Sequence, residues 1–324
     1  MPKYDKAVLA DIAKENHVIR DTLEKVYRLA EVLSFINSSD LLGSSLAIKG
    51  GTAINLLFFD LPRLSVDIDL DLAENLSKDE MTSRRARIGN SIERYMNAEG
   101  YTKSLKSKSP HSLDSFVYSY TNAGGAKDSL KIEINYSLRA HVLPLQRMRT
   151  KTKILDAPFE VLALAPIEVY ASKTVALLTR AAVRDLYDMN QMIENWPFDD
   201  KELEQYRKTV AFYMAIATEK TPLEADLSAM MTITSKDVFT NLNQVIRDRD
   251  SFDLNMAKAT VSEFLSKNLA FSAREILFLQ SFRNGQYCPE LLFDEKDILE
   301  RIHAHPMAVW KTSRTKIQDN DLIR

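Results

Sequence analysis

Ser65-Val66-Asp67-Ile68-Asp69-Leu70-Asp71-Leu72 alternates without a fault: positions 66, 68, 70 and 72 are apolar, and 67, 69 and 71 are acidic. A period of two is that of a β-strand, whose successive side chains point to opposite faces, so the carboxylates share one face. Like charges set side by side repel, unless a cation lies between them or both reach water. Hard oxygen ligands in this pattern suit Mg2+, which takes one or two carboxylates together with substrate phosphates. Asp71 either extends the same set or lies beyond the strand and is solvated. An exposed edge strand with an acidic outer face is the purely structural alternative.

Upstream, the short apolar piece Leu46-Ala47-Ile48 runs into Lys49-Gly50-Gly51-Thr52, and Ala53 to Phe59 has the composition of an apolar helix. Glycines at a strand–helix junction let backbone amides approach a phosphate, and a helix N-terminus adds partial positive charge. Gly-Gly pairs are also common in ordinary turns, and this one is neither a GxxxxGK[ST] loop nor a GxGxxG fingerprint. Downstream, Phe116–Tyr120 and Leu130–Tyr136 read as two strands joined by a loop containing Gly124-Gly125. Glu133, between Ile132 and Ile134, is an acid on the polar face of the second. A two-metal site needs three carboxylates, which makes Glu133 the candidate to complete the set, against the reading of an ordinary exposed glutamate.

The flanks complete the plan. Residues 4–38 carry apolar positions at helical spacing, and 78–99 read as a basic surface helix. Beyond about residue 160 helical patterns dominate: 167–178, 186–193, 201–217, 238–248, 257–269 and 273–282. If one helix runs through residues 173–188, offsets of 7, 11 and 15 put Lys173, Arg180, Arg184 and Asp188 on nearly one face. Three cations in one stripe call for anions such as triphosphate or an RNA backbone. Asp185 falls off that stripe, or it starts a second helix as its N-cap. The bland alternative is a solvated helix with Arg184 and Asp188 as a surface pair. His303 and His305 read as surface or packing residues, and the C-terminal stretch 312–324 as a polar tail.

Composition bounds these readings. The 324 residues carry a formal charge of -2, yet residues 84–153 hold 14 Lys or Arg against 5 Asp or Glu, which leaves -11 for the rest. That split suits phosphates or nucleic acid, or it is a solvated face that looks basic in one dimension. The single cysteine, Cys288, excludes an internal disulfide and a cysteine-cluster zinc site and fits a reducing compartment. No apolar run approaches the ~20 residues of a membrane span, and the charged N-terminus lacks a signal-peptide core. The expectation is a cytoplasmic protein with no membrane partner.

Taken together, KGGTAINL, SVDIDLDL and KTVALLTRAAVRDLYDM, with Asp67 sixteen positions after Gly51, resemble the AbiEii/AbiGii toxin family within the polymerase-β-like nucleotidyltransferase superfamily. The motifs cover the chain to about residue 192. The resemblance implies an α+β fold: residues 1–160 as a nucleotidyltransferase core with N-terminal helices and a small mixed sheet, and 161–324 as a helical domain completing the active-site cleft. It implies a Mg2+-dependent toxin of a bacterial toxin–antitoxin or phage-defence pair, with Mn2+ as a substitute metal. Such an enzyme moves NMP from NTP onto an RNA acceptor, the tRNA 3′ end above all, releases pyrophosphate, and has a cognate antitoxin. By the same resemblance Asp67, Asp69 and Glu133 are metal ligands. Lys49, Gly50, Gly51, Thr52, Ser65, Arg180 and Arg184 bind nucleotide, and Lys173 and Asp185 join Asp67 and Asp69 as catalytic groups. Two rivals remain: transfer to a small molecule or protein hydroxyl, which needs a pocket, and a nucleotide- or RNA-binding module without turnover, which needs no paired carboxylates.

Overall fold

The acidic strand at 67–72 is central to a seven-stranded mixed sheet in a computed structural model that describes residues 4–152, 154–155, 157–247 and 252–321. The chain forms two units: Met1–Arg139 with Leu145–Leu164 and Phe239–Ser251, and Ala140–Pro144 with Ala165–Val238 and Phe252–Arg324. The α+β expectation, a mixed sheet followed by a helical C-terminal region, is borne out.

The first unit begins with α1 (Lys6–Glu15), α2 (Arg20–Ser38) and α3 (Asp40–Ser45). It continues through β1 (Leu46–Ile48), α4 (Gly50–Ala53, prolonged by π-helical turns over Ile54–Phe58) and β2 (Asp67–Leu72). There follow α5 (Lys78–Ala98), β3 (Thr102–Lys103), β4 (Leu113–Thr121), β5 (Lys127–Asn135), β6 (Gln146–Arg149) and β7 (Glu160–Ala163). The strand order is β3-β4-β5-β2-β1-β7-β6. β2 runs antiparallel to β1 and parallel to β5, in the register Asp67↔Lys131, Asp69↔Glu133 and Asp71↔Asn135. Ile68, Leu70 and Leu72 on the opposite face are buried, as are Ile132 and Ile134. The same unit buries Leu33 and Ile36 of α2 and Ile88, Ile92 and Met96 of α5, each side chain contributing roughly 1.5–3 kcal/mol of hydrophobic stabilisation. α5 starts on a capping box, with Ser77 and Glu80 each satisfying the other's backbone.

Two expectations are corrected here, and three strands are added. Residues 4–38 form two helices, because His17 adopts a left-handed conformation (φ 53°) that no helix interior accepts. β3, β6 and β7 were not legible in the sequence; they span two to four residues each, too short to show a period. The helix expected over 238–248 is confined to α10 and its continuation, described below. Ile246 forms a β-bridge with Arg63 instead, and Asp248 lies outside the described residues.

The second unit is helical: α6 (Pro166–Arg180), α7 (Val183–Glu194), α8 (Asp200–Ala217), α9 (Ser228–Met231), α10 (Ser235–Asp237, continued by π-helical turns over Val238–Leu242 that belong to the first unit from Phe239 on), α11 (Leu254–Asn268), α12 (Ala273–Arg283), α13 (Lys296–Ile302) and α14 (Pro306–Asp321). Pro166 sits at the first turn of α6, where its missing N–H costs nothing. Glu168, fully buried on α6, accepts from the Val142 and Leu143 amides at 2.9 and 3.0 Å and from the Tyr213 hydroxyl at 2.5 Å. These bonds tie the 140–144 segment and α8 to the helix that carries Lys173. His305 is a packing residue, its ring edge-on to Phe212 and its Nδ1 accepting from the Ala308 amide. The stretch expected to be a polar tail continues α14 as far as Asp321. No helix among the described residues is long and apolar enough to cross a membrane.

Candidate active site

Gly50 fixes the geometry of the first constellation. Its φ of +65° lies in the region that L-residues avoid, and a Cβ built there would come within 2.6 Å of the Asp69 carboxylate. The turn is thus held against Asp69 with no side chain between. The Lys49 amide donates to the Asp69 carbonyl at 3.0 Å. Thr52, buried, places its hydroxyl 2.7 Å from that of Ser65 and donates to the Asp67 carbonyl. Asn55 reaches back to the Gly51 carbonyl at 2.7 Å. Lys49, Gly50, Gly51, Thr52 and Ser65 therefore surround the start of β2, with Asp67 and Asp69 half-buried on its polar face. Gly50→Ala should fold poorly or displace Asp69, because backbone strain and collision act together. The expected result is a loss of roughly 2–4 kcal/mol of stability, read from urea unfolding; wild-type stability would contradict it.

Lys49 and Asp71 sit differently from the reading of the sequence. Asp71 belongs to β2 and is buried, 1% exposed, so the solvated alternative fails. The Lys49 ammonium lies 2.5 Å from its carboxylate, and an ion pair so placed holds the Gly-Gly turn to the strand.

Register brings β5 alongside. Glu133 stands next to Asp69, and its carboxylate lies 3.0 Å from the Lys131 ammonium. Partial burial opposes the charge on Lys131, but the hydrogen bond to Glu133 and the fields of Glu133, Asp67 and Asp69 hold the amine above its ordinary value. Lys131 escaped the sequence reading: alternation alone places it on the face of Glu133, but only the strand register puts it opposite Asp67. A hard dication fits this donor set. Two carboxylates share a face beside an open glycine turn, and the cluster already attracts an internal cation. Among the described residues no three acidic, histidine or cysteine side chains form a ready-made cage, so substrate oxygens would complete the coordination.

The second constellation lies in the helical unit. α6 ends at Ala181, in a left-handed conformation (φ 48°) that costs an L-residue about 1–2 kcal/mol, and α7 starts at Val183 with Ala182 at its cap. The helix does not run through, so the single stripe of Lys173, Arg180, Arg184 and Asp188 is not formed. Asp185 is in the first turn of α7 and is not its N-cap. The break turns α7 back on α6. Lys173, buried, lies 2.9 Å from both Asp185 and Asp188, while Arg180 grips Asp185 at 2.6 and 2.9 Å. Asp188 is buried, 1% exposed, so it is not part of a surface pair. Arg180 remains largely exposed and Arg184 half-buried.

Burial opposes ionisation of Asp185, but Lys173 and Arg180 outweigh it and bring the carboxyl down from 3.8 to about 2. It is ionised at neutral pH, with no proton to give and little basicity. Because the folded value lies below the unfolded one, its stabilisation is complete above about pH 4 and disappears as pH falls towards 2. Urea midpoints between pH 5 and 2 should fall more steeply for wild type than for Asp185→Asn; parallel slopes would contradict this.

Part of the basic segment is spent internally. Arg84 pairs with Glu74, Arg85 with Asp114, and Lys103 with Glu93. Arg139 and Arg147 donate to backbone carbonyls. Exposed cations of this segment with no ion pair among the described residues are Arg87 and Arg94 on α5, Lys106 and Lys108 between β3 and β4, Lys127 at the start of β5, and Arg147, Arg149 and Lys151 at β6. β3 and β6 are opposite edges of the sheet, so the one-dimensional cluster does not form one patch. Lys153 lies outside the described residues.

A family model described as the nucleotidyl transferase AbiEii toxin of type IV toxin–antitoxin systems matches residues 33–316. The fold is similar to that of MenT4, a nucleotidyltransferase toxin from Mycobacterium tuberculosis H37Rv, with a TM-score of 0.62 at 15% identity, covering 85% of this chain and 93% of that one. No curated protein sequence matches the chain.

Proposed function

We propose, from the premise that the chain belongs to the AbiEii family and is a nucleotidyltransferase toxin of a type IV toxin–antitoxin system, that it transfers NMP from a Mg2+-bound NTP to an RNA hydroxyl, the tRNA 3′ end being the first acceptor to test. The observation that carries the metal-dependent reading is the pair Asp67 and Asp69 on one strand face, against the side-chain-free turn at Gly50.

Asp67 and Asp69 would hold the ion, with Glu133 as a third acid. Bound there, a divalent cation supplies neutralisation of the triphosphate and lowers the cost of deprotonating the attacking hydroxyl. The chain's own groups do the rest. Gly50 and Gly51 keep the turn open beside Asp69, so that phosphate can approach the backbone. Thr52 and Ser65 hold that turn to β2. In the helical unit Lys173, Arg180 and Arg184 provide cations for phosphate. Asp185, ionised and engaged by two of them, serves by positioning them rather than as a proton donor. Exposed Arg87, Arg94, Lys106 and Lys108 support a polyanionic acceptor over a small cationic one. The reading also includes a cognate antitoxin partner and a cytoplasmic site of action.

Incubation of the purified protein with each α-labelled NTP, Mg2+ and total RNA tests the proposal. Label in tRNA that is abolished by EDTA is the expected result. Label confined to protein or to added small molecules would transfer the activity to another acceptor, and none with any NTP would overturn the reading.

A further inference from the structure

Across β2 and β5, paired positions set four charged side chains in a two-by-two square: Asp67 opposite Lys131, and Asp69 opposite Glu133. The register places all four on the face whose reverse side carries buried Ile68, Leu70, Ile132 and Ile134. The square carries a formal charge of -2 with Lys131 and -3 without it. On the other side of β5, Lys131 is paired with Val117 of β4, which is uncharged, so the acids lie along its own strand and on β2. Its ammonium is drawn to Glu133 at 3.0 Å. It also lies within the fields of Asp67 and Asp69.

We infer that Lys131 is an internal counter-cation of this cluster: it neutralises the carboxylates of the metal-free protein and competes with a divalent ion for them. The inference rests on the reading of Asp67 and Asp69 as a metal site. An ammonium and a dication attracted to the same oxygens repel one another, so removing the ammonium strengthens the hold on the dication. The same removal takes one cation from beside three neighbouring acids in the apo protein, which costs stability that a bound metal restores. A lysine that merely oriented Glu133 as a ligand would act in the opposite sense, and its loss would weaken metal binding.

The test is calorimetric titration of Mn2+ into full-length wild type, Lys131→Met and Lys131→Arg without nucleotide, with thermal melts at zero and saturating Mn2+. Lys131→Met should bind Mn2+ at least about fivefold more tightly, melt lower without metal and gain more from its addition. Lys131→Arg, which keeps the charge, should remain close to wild type. Unchanged or weaker binding by Lys131→Met, with wild type binding normally, would overturn the inference and leave the metal site standing. Failure of wild type to bind Mn2+ would overturn both.

Discussion

Asp69→Asn loses nucleotide transfer by on the order of a thousandfold while folding as the wild type does. Asparagine preserves the shape beside Gly50, whose missing side chain leaves space for this carboxylate, but it removes the charge that a dication and its triphosphate require. Asp69 is half-buried and lies on a face with Asp67 and Glu133 as acidic neighbours. Neutralising it relieves repulsion from those acids and gives up attraction to Lys131, so the melting temperature should change little. Asp67→Ala should behave likewise, and neither variant should arrest growth when expressed. Full growth arrest by a well-expressed Asp67→Ala protein would show that toxicity does not run through this carboxylate pair.

Lys173→Met has its largest effect on stability. The ammonium is 5% exposed and bridges two carboxylates that are themselves buried. Removing it takes the bridging cation away from two buried carboxylates, and such a break costs roughly 3–5 kcal/mol. For a protein of this size that is a fall in melting temperature of about 10 °C. The triple variant Lys173→Met, Asp185→Asn, Asp188→Asn removes the whole buried charge set and should recover most of the loss, since neutral groups carry no comparable desolvation penalty. Transfer activity should not recover with it, because phosphate has lost a cation. A triple variant as unstable as the single one would place the effect in packing.

The strict alternation at 66–72 was enough to read a strand and the face its acids share, because a two-residue period has no helical counterpart. The glycine turn was legible for a similar reason: two adjacent glycines tolerate a left-handed φ, and Gly50 uses it. What the sequence did not disclose depends on partners distant in the chain. Lys131 becomes part of the acidic cluster only through the parallel register of β5 with β2. Whether Asp71 extends the acidic set or is a solvated strand end depends on its burial beside Lys49, which the alternation does not show. The break at Ala181 carries no glycine or proline to announce it, and it changes Lys173 from one member of a cationic stripe into the centre of a buried charge cluster. The basic segment misled for a related reason: the sheet order places its charges at opposite edges, β3 and β6, and Glu74 from outside the segment pairs with Arg84.

Anomalous diffraction from crystals grown with Mn2+ and a non-hydrolysable NTP analogue tests the central claim most directly. The account requires a Mn2+ peak bound by the Asp67 and Asp69 carboxylates, with the triphosphate beside the Gly50 turn. A saturated nucleotide whose metal lies away from both aspartates would contradict it.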